Sequence, residues 1–415
     1  MSSRLKTPRQ PEVNVGTAGH VDHGKTTLIQ ALTGIWTSSH SEELKRGITI
    51  KIGYADMPVY ECSSLTGAKR FSVTPEIPNC GGEVVFRRAV SFVDCPGHES
   101  LMANMISGAA VMDGAIMVIA ADEAVPRPQT REHLAALEIL GVDKIVVVQN
   151  KVDLVSKEVV KENYRQIKNF ATGSIMEDAP IIPVSAIHKI NMEYLLEAIE
   201  NTITTPERDY SKPIKMFVIR SFDVNAPGTP LRKLSGGVIG GSILQGVLRI
   251  GDELEILPGY LEKKNDKIVH EPLYTEALSL NSQTLRLEEA HSGGLIGVQT
   301  DLDPALMKAD GMVGNVTGKP GTLPDVRYEL EMDVKLFKYV VGTDETVEVS
   351  KIVLNEPLRL NIGAAVTLGV VRSVREDIVY VNLLKPVVAE PGFDAAIARR
   401  VDGKWRLIGV GHVTT

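Results

Sequence analysis

Gly19-His20-Val21-Asp22-His23-Gly24-Lys25-Thr26 follows the short apolar run Val13-Asn14-Val15 and leads into Thr27-Leu28-Ile29-Gln30-Ala31-Leu32, whose apolar positions have helical spacing. The order strand, glycine loop, helix predicts an α/β domain with a phosphate site at the loop. The glycines let backbone N–H groups face the α- and β-phosphates, and Lys25 reaches the β- and γ-phosphates. The Thr26 hydroxyl suits Mg²⁺, and the helix N-terminus adds its own positive end. Val21, Asp22, His23, Gly24 and Thr27 complete the candidate phosphate contacts. Taken alone, the motif serves ATP as well as GTP.

Two later segments decide the base. Val90-Ser91-Phe92-Val93 runs into Asp94-Cys95-Pro96-Gly97-His98. This places an acid, Asp94, on the metal side of the phosphates and a glycine, Gly97, whose N–H can sense a γ-phosphate; such a pair is a switch. His98 in isolation reads as an ordinary polar histidine, but beside Asp94 and Gly97 it becomes a catalytic candidate. Ile145-Val146-Val147-Val148 runs into Asn150-Lys151-Val152-Asp153. The Asp153 carboxylate can accept from guanine N1–H and its 2-amino group. Adenine offers neither donor, so ATP would leave a carboxylate unmatched. An Asn-Lys pair after a strand is otherwise a plain turn, and its force here comes from order and strand context. Ser185-Ala186-Ile187, after Ile181-Ile182-Pro183-Val184, would close over the base. Together the segments predict a GTPase that binds GTP and GDP with Mg²⁺.

The chain has 415 residues, 43 % hydrophobic, with a formal net charge of −7. That length leaves room for two to three domains. No apolar stretch is long enough to span a bilayer, and Met1 to Arg9 lacks the apolar core of a secretory signal, so a cytoplasmic protein without a membrane partner is expected. The acidic balance excludes a uniformly basic surface; any RNA contact must use a local patch. Strands alternate with helical patterns to about Pro206, which is βαβ periodicity. The pattern breaks at the polar stretch Thr204 to Pro213, beyond which short strands recur between Gly, Pro and Asn-Asp turns. A second linker runs from Gly318 to Pro324. The predicted fold is an α/β P-loop GTPase domain followed by two antiparallel β-barrel domains: residues 1–208, with an insertion at about 60–83, then 209–323 and 324–415.

These motifs, with Arg46-Gly47-Ile48-Thr49 and two barrels, resemble the translational GTPases of the elongation factor Tu group. Within it the chain is similar to the gamma subunits of archaeal initiation factor 2, on Ile35-Trp36-Thr37, His40 to Gly47, Arg220 to Asn225, Lys233 to Gly246 and Trp405-Arg406-Leu407-Ile408-Gly409. The resemblance implies Mg²⁺ ligation by Thr26 and, in the GTP state, Thr49, with Asp94 beside them, and a further metal near Asp22 and the carbonyl of Gly47. It implies that His98 orients the attacking water, with Asp22 in support, behind an apolar gate of Val21 and Ile48. It also implies a heterotrimer with alpha and beta subunits, whose cargo is methionylated initiator tRNA for the small ribosomal subunit and mRNA complex, with hydrolysis on start-site selection.

The insertion departs from the family pattern. A zinc knuckle C-x-x-C…C-x-x-C suits tetrahedral Zn²⁺, but here Cys62 is followed by Leu65 and Cys80 preceded by Ile77 where thiols would stand. Zinc is therefore not expected, and a Cys62–Cys80 disulfide is disfavoured by compartment. Near the C-terminus, Arg399, Arg400, Lys404 and Arg406 form the basic cluster chosen for tRNA phosphates, against the plainer reading of a solvated charged face. The competing function is an elongation factor, general or selenocysteine-specific, delivering aminoacyl-tRNA; the cysteine-bearing insertion argues against it. A GTP-dependent scaffold that carries no tRNA is the remaining alternative.

Overall fold

The computed structural model describes residues 7–37, 49, 51–98, 101–265, 267–283, 285–343 and 347–414. Its contacts divide the chain into two compact units, Met1–Pro206 and Glu207–Thr415.

In the first unit, runs of β-branched residues become strands buried along their whole length: β1 (Val13–Ala18), β5 (Gly114–Ala120) and β6 (Ile145–Asn150). Burial on both faces is what a parallel sheet under helices requires. β1 lies between β4 (Val84–Asp94) and β5, parallel to both, and β6 and β7 (Ile181–Pro183) continue the parallel half. On the other side β2 (Gly53–Cys62) runs antiparallel to β4, and β3 (Phe71–Ser72) pairs with β2, giving the order β3-β2-β4-β1-β5-β6-β7. Helices α1 (Lys25–Thr33), α2 (Met102–Ala109), α3 (Pro128–Ile139), α4 (Lys157–Ala171) and α5 (Met192–Thr202) accompany it. Leu28 and Ile29 of α1 and Leu195 and Ile199 of α5 share a core with Val13, Val15, Val118 and Val148. The glycine loop, the Asp94 segment, the Asn150 segment and the Ser185 segment all follow the carboxyl ends of parallel strands, the edge at which open α/β sheets bind ligands.

The insertion between β2 and β4 contains a 3₁₀ turn, Gly67–Arg70, and β3. Here one expectation is corrected: Cys62 and Cys80 are joined in a disulfide with a Cα–Cα distance of 6.1 Å. The β2–β4 ladder extends to Cys62↔Val84, and Ser63 N–H donates to the Glu83 carbonyl at 3.0 Å, so the returning chain brings Cys80 beside Cys62. Compartment chemistry says nothing about that geometry. Next to it, the buried Glu200 of α5 accepts from Arg87 (2.8 Å) and Arg88 (2.9 Å), while Arg88 also donates to the Ile203 carbonyl at 2.8 Å. A buried carboxylate is tolerable only with such partners, and this pairing fastens α5 to the hairpin.

In the second unit, an eight-stranded antiparallel sheet drawn from residues 215–318 curls round one core that includes Met216, Val218, Ile256, Leu280 and Val298. Its two end strands, Lys267–Glu276 and Leu285–Leu287, are not hydrogen-bonded to each other, so among the described residues this domain is an open sheet. The last domain is a closed six-stranded barrel, from Val326–Leu336 to Lys404–Val413. The two β-domains meet through Lys215 and Glu390 at 2.8 Å and Tyr328 Oη and His270 Nδ1 at 2.7 Å. Phe217 lies so close to Gly363 that an added Cβ there would fall 2.7 Å from its ring.

Candidate nucleotide-binding site

The glycine loop is shaped by backbone that side chains disfavour: φ is 132° at Gly19, 62° at Asp22 and 88° at Gly24. A Cβ on Gly19 would lie 2.2 Å from the Val118 carbonyl, and one on Gly24 would lie 2.4 Å from Asn150 Nδ2. Glycine is therefore required at both places. Lys25 Nζ donates to the carbonyls of Gly19 (2.9 Å) and His20 (2.7 Å), which holds the ammonium inside the loop. Burial pushes it down to about 8 against the pull of Asp94. A Cβ on Gly97 would come 2.4 Å from Lys25 Nζ and 3.0 Å from the Val21 nitrogen, so Gly97 sits directly against the glycine loop.

Asp94 is fully buried at the end of β4. Thr26 Oγ1 donates to its Oδ2 at 2.7 Å, Thr37 Oγ1 to the same oxygen at 2.5 Å and Thr17 Oγ1 to Oδ1 at 3.1 Å. Thr49 Oγ1 lies 3.0 Å from Thr26 Oγ1. Burial pushes the Asp94 carboxyl up, and the three hydroxyls oppose that shift. A buried anion surrounded by hydroxyl oxygens is a donor set for a hard divalent cation, and Mg²⁺ needs only one or two such protein groups when phosphates supply the rest. The residues fit that ion. Thr17, and Thr37 as a member of this set, carry no motif of their own; tertiary packing alone gathers them. Burial also pushes the Cys95 thiol up, so it is a structural thiol.

At the base end, Asn150 spans two loops: its Nδ2 donates to the His23 carbonyl at 2.9 Å and its Oδ1 accepts from Ala186 N–H at 3.1 Å. Lys151, at φ 63°, places Nζ 3.5 Å from Asp122. Asp153 faces His188 Nε2 at 3.6 Å with its side chain 17 % exposed. Ser185 is buried, and its Oγ accepts from His188 N–H at 3.3 Å, while Ile187 is exposed. Asp22 and His98 are exposed, Val21, Thr26 and Thr27 half-buried. Gly47 and Ile48 lie outside the described residues, as do residues 40–46.

Two histidines complete the floor. Gly19 N–H donates to Nδ1 of His133, on α3, at 2.9 Å, and His23 Nδ1 lies 3.0 Å from the Val118 carbonyl. Burial keeps both neutral: His133 is held well below the usual imidazole range and His23 is lowered to about 4. His133 belongs to no loop motif and only the folded chain brings it to Gly19. The basic cluster of the last barrel is divided. Arg399 is ion-paired with Glu356 and donates to Ser350 at 2.8 Å, and Arg406 is buried; Arg400 and Lys404 are exposed at the turn of the final hairpin.

Strand order, phosphate loop, switch and base segment define a translational GTPase of the elongation factor Tu type, and residues 10–205 match the family model for the elongation factor Tu GTP binding domain. Residues 328–413 match that for initiation factor eIF2 gamma, C terminal. The chain is 56 % identical over 403 residues, 97 % of its length and 94 % of the relative's, to translation initiation factor 2 subunit gamma of Archaeoglobus fulgidus. It is 55 % identical over 413 residues, the full length of both, to that of Pyrococcus horikoshii. The chain belongs to the family of translation initiation factor 2 gamma subunits. Among solved structures it is similar to a bacterial selenocysteine-specific elongation factor, EF-Sec (TM-score 0.73, 23 % identity, 98 % of this chain and 58 % of that one). It is likewise similar to the elongation factor SelB of Methanococcus maripaludis with a GTP analogue (TM-score 0.72, 22 % identity, 99 % and 80 %). At that identity the likeness is one of fold.

Proposed function

We propose that this chain binds GTP with Mg²⁺ and, in that state, carries methionylated initiator tRNA to the small ribosomal subunit in a heterotrimer with alpha and beta subunits, hydrolysing GTP on start-site selection. The observation that carries the reading is the approach of Thr49 to Thr26 beside buried Asp94, with Gly97 packed on Lys25. Two segments remote in sequence thereby meet beside one loop, which supports a nucleotide-controlled switch. Lys25, partly desolvated, presents its charge to the β- and γ-phosphates. Thr26, Thr49 and Asp94 would hold Mg²⁺, which would supply neutralisation of the charge developing on the phosphates. Gly97 N–H reports the γ-phosphate, His98 orients the attacking water with Asp22 nearby, and Asp153 selects guanine with Ser185, Ala186 and Ile187 around the base. Phosphoryl transfer needs positioning more than covalent help, so without a partner turnover is slow.

Binding of initiator and elongator tRNAs, with and without methionine, to the GTP- and GDP-loaded chain tests this. Selective retention of methionylated initiator tRNA with GTP is expected. Equal retention of elongators would make it an elongation factor, and no retention would make it a GTP-dependent scaffold.

A further inference from the structure

Between the two β-domains of the second unit lies a cavity of about 560 Å³. Its lining is largely apolar, with Leu261, Ile268, Leu306, Val313, Val366 and Pro386 from four separate segments. Three lysines line the same wall: Lys263 from the long hairpin of the first β-domain, Lys308 from the 3₁₀ turn Pro304–Asp310, and Lys385 from the barrel. Lys308 is 67 % exposed and 3.9 Å from Asp223. The wall's carboxylate, Glu262, is paired with Lys264 at 2.8 Å. In a chain of net charge −7 this is a local reversal of sign.

The barrel strand Ala365–Arg375 leads away from the mouth. On its outer face Val366, Leu368 and Val370 are each 39–40 % exposed, and Leu384, beside Lys385, is 59 % exposed. Residues two apart on a strand are roughly 7 Å apart on one face, the spacing at which an extended peptide repeats its own side chains. Apolar pockets framed by complementary charge suit a peptide that alternates the two kinds of group. Single-stranded nucleic acid would need rings for base stacking, and the lining offers one aromatic residue, Tyr260.

We propose that this groove docks an extended acidic segment of a protein partner, its apolar side chains entering the cavity and its carboxylates meeting Lys263, Lys308 and Lys385. The test is selection of a displayed library of random twelve-residue peptides on the immobilised full chain, followed by fluorescence anisotropy with the best synthetic peptide. Enriched peptides should combine Asp or Glu with Leu, Ile or Phe at alternate positions. The double variant Lys308→Glu/Lys385→Glu should weaken binding at least tenfold, and Val366→Ser, made separately, several-fold. Both variants should keep the parent's far-ultraviolet circular dichroism and the resistance of its second unit to limited proteolysis, which verifies their folding. The proposal is overturned if no peptide is enriched, if enriched peptides are basic or lack apolar residues, or if either variant binds unchanged. It is also overturned if a uridine dodecamer displaces the peptide and itself loses affinity in the lysine variant, because the wall would then be an RNA contact.

Discussion

Asp153, its side chain 17 % exposed and facing His188, is proposed to select the guanine base, and Asp153→Asn should then move preference from GTP toward xanthosine triphosphate, whose 2-oxo group needs a donor. The discrimination lost should be on the order of 2 kcal/mol, that of an unmatched buried polar pair; competitive binding of the two nucleotides checks it, and unchanged preference for GTP would remove Asp153 from the base site. His98 is exposed next to buried Gly97. His98→Ala should leave GTP affinity intact and reduce ribosome-stimulated hydrolysis by roughly 10²-fold, the scale of a lost positioning group; single-turnover assays at saturating GTP measure it, and an equal rate would clear His98 of a role. The floor histidines make a third case. His23, lowered to about 4 by burial, binds its proton less readily folded than unfolded, as does His133. Their stabilisation is complete above about pH 6.5, the unfolded value, and is lost as pH falls toward the folded one. Between pH 7 and pH 5, His23 alone should cost about 2 kcal/mol. Urea unfolding of the isolated first unit or of the full chain at both pH values measures this, and a flat profile would mean that these rings are hydrated. Asp153 could be found from its motif because four consecutive residues carry it; His133 could not, because its partner Gly19 is 114 positions away and the bond is made by α3 packing against the loop.

The hairpin between β2 and β4 is held at its base by the Cys62–Cys80 disulfide and at its flank by Glu200. Closing a loop of 18 residues is worth roughly 3 kcal/mol through the unfolded chain. Cys62→Ser/Cys80→Ser should therefore loosen this element alone: proteolysis within residues 63–83 should accelerate at least tenfold while GTP binding is unchanged. With both sulfurs in one bond and Leu65 and Ile77 at the other knuckle positions, elemental analysis of the oxidised protein should give far less than one zinc per chain. One tightly held zinc would refute this. Most elements of the first unit were legible as sequence, because β-branched runs such as Ile145 to Val148 and helical spacing over Lys157 to Phe170 each have one economical fold. In the structure Ser156 caps α4, accepting from Val159 N–H. The disulfide was not legible: two cysteines 18 apart carry no record of the ladder that brings them together.

Across the whole molecule, charge was easy to count and hard to assign. The basic letters Arg399 and Arg406 are visible in sequence, yet Glu356, the partner of Arg399, lies 43 positions earlier and meets it only when the barrel closes. Any tRNA contact in this region rests on Arg400 and Lys404. Arg400→Gln/Lys404→Gln should lower the log–log salt slope of tRNA binding by about one unit per phosphate lost, with GTP binding unaffected. Parallel, unshifted lines would mean that this face only holds water. Circular closure of the last domain has a mechanical corollary. A ring of six strands offers no spare backbone rim, so neighbours meet it through side chains only. Removing any one strand would open two such rims at once, and the whole ring should come apart in a single step or not at all.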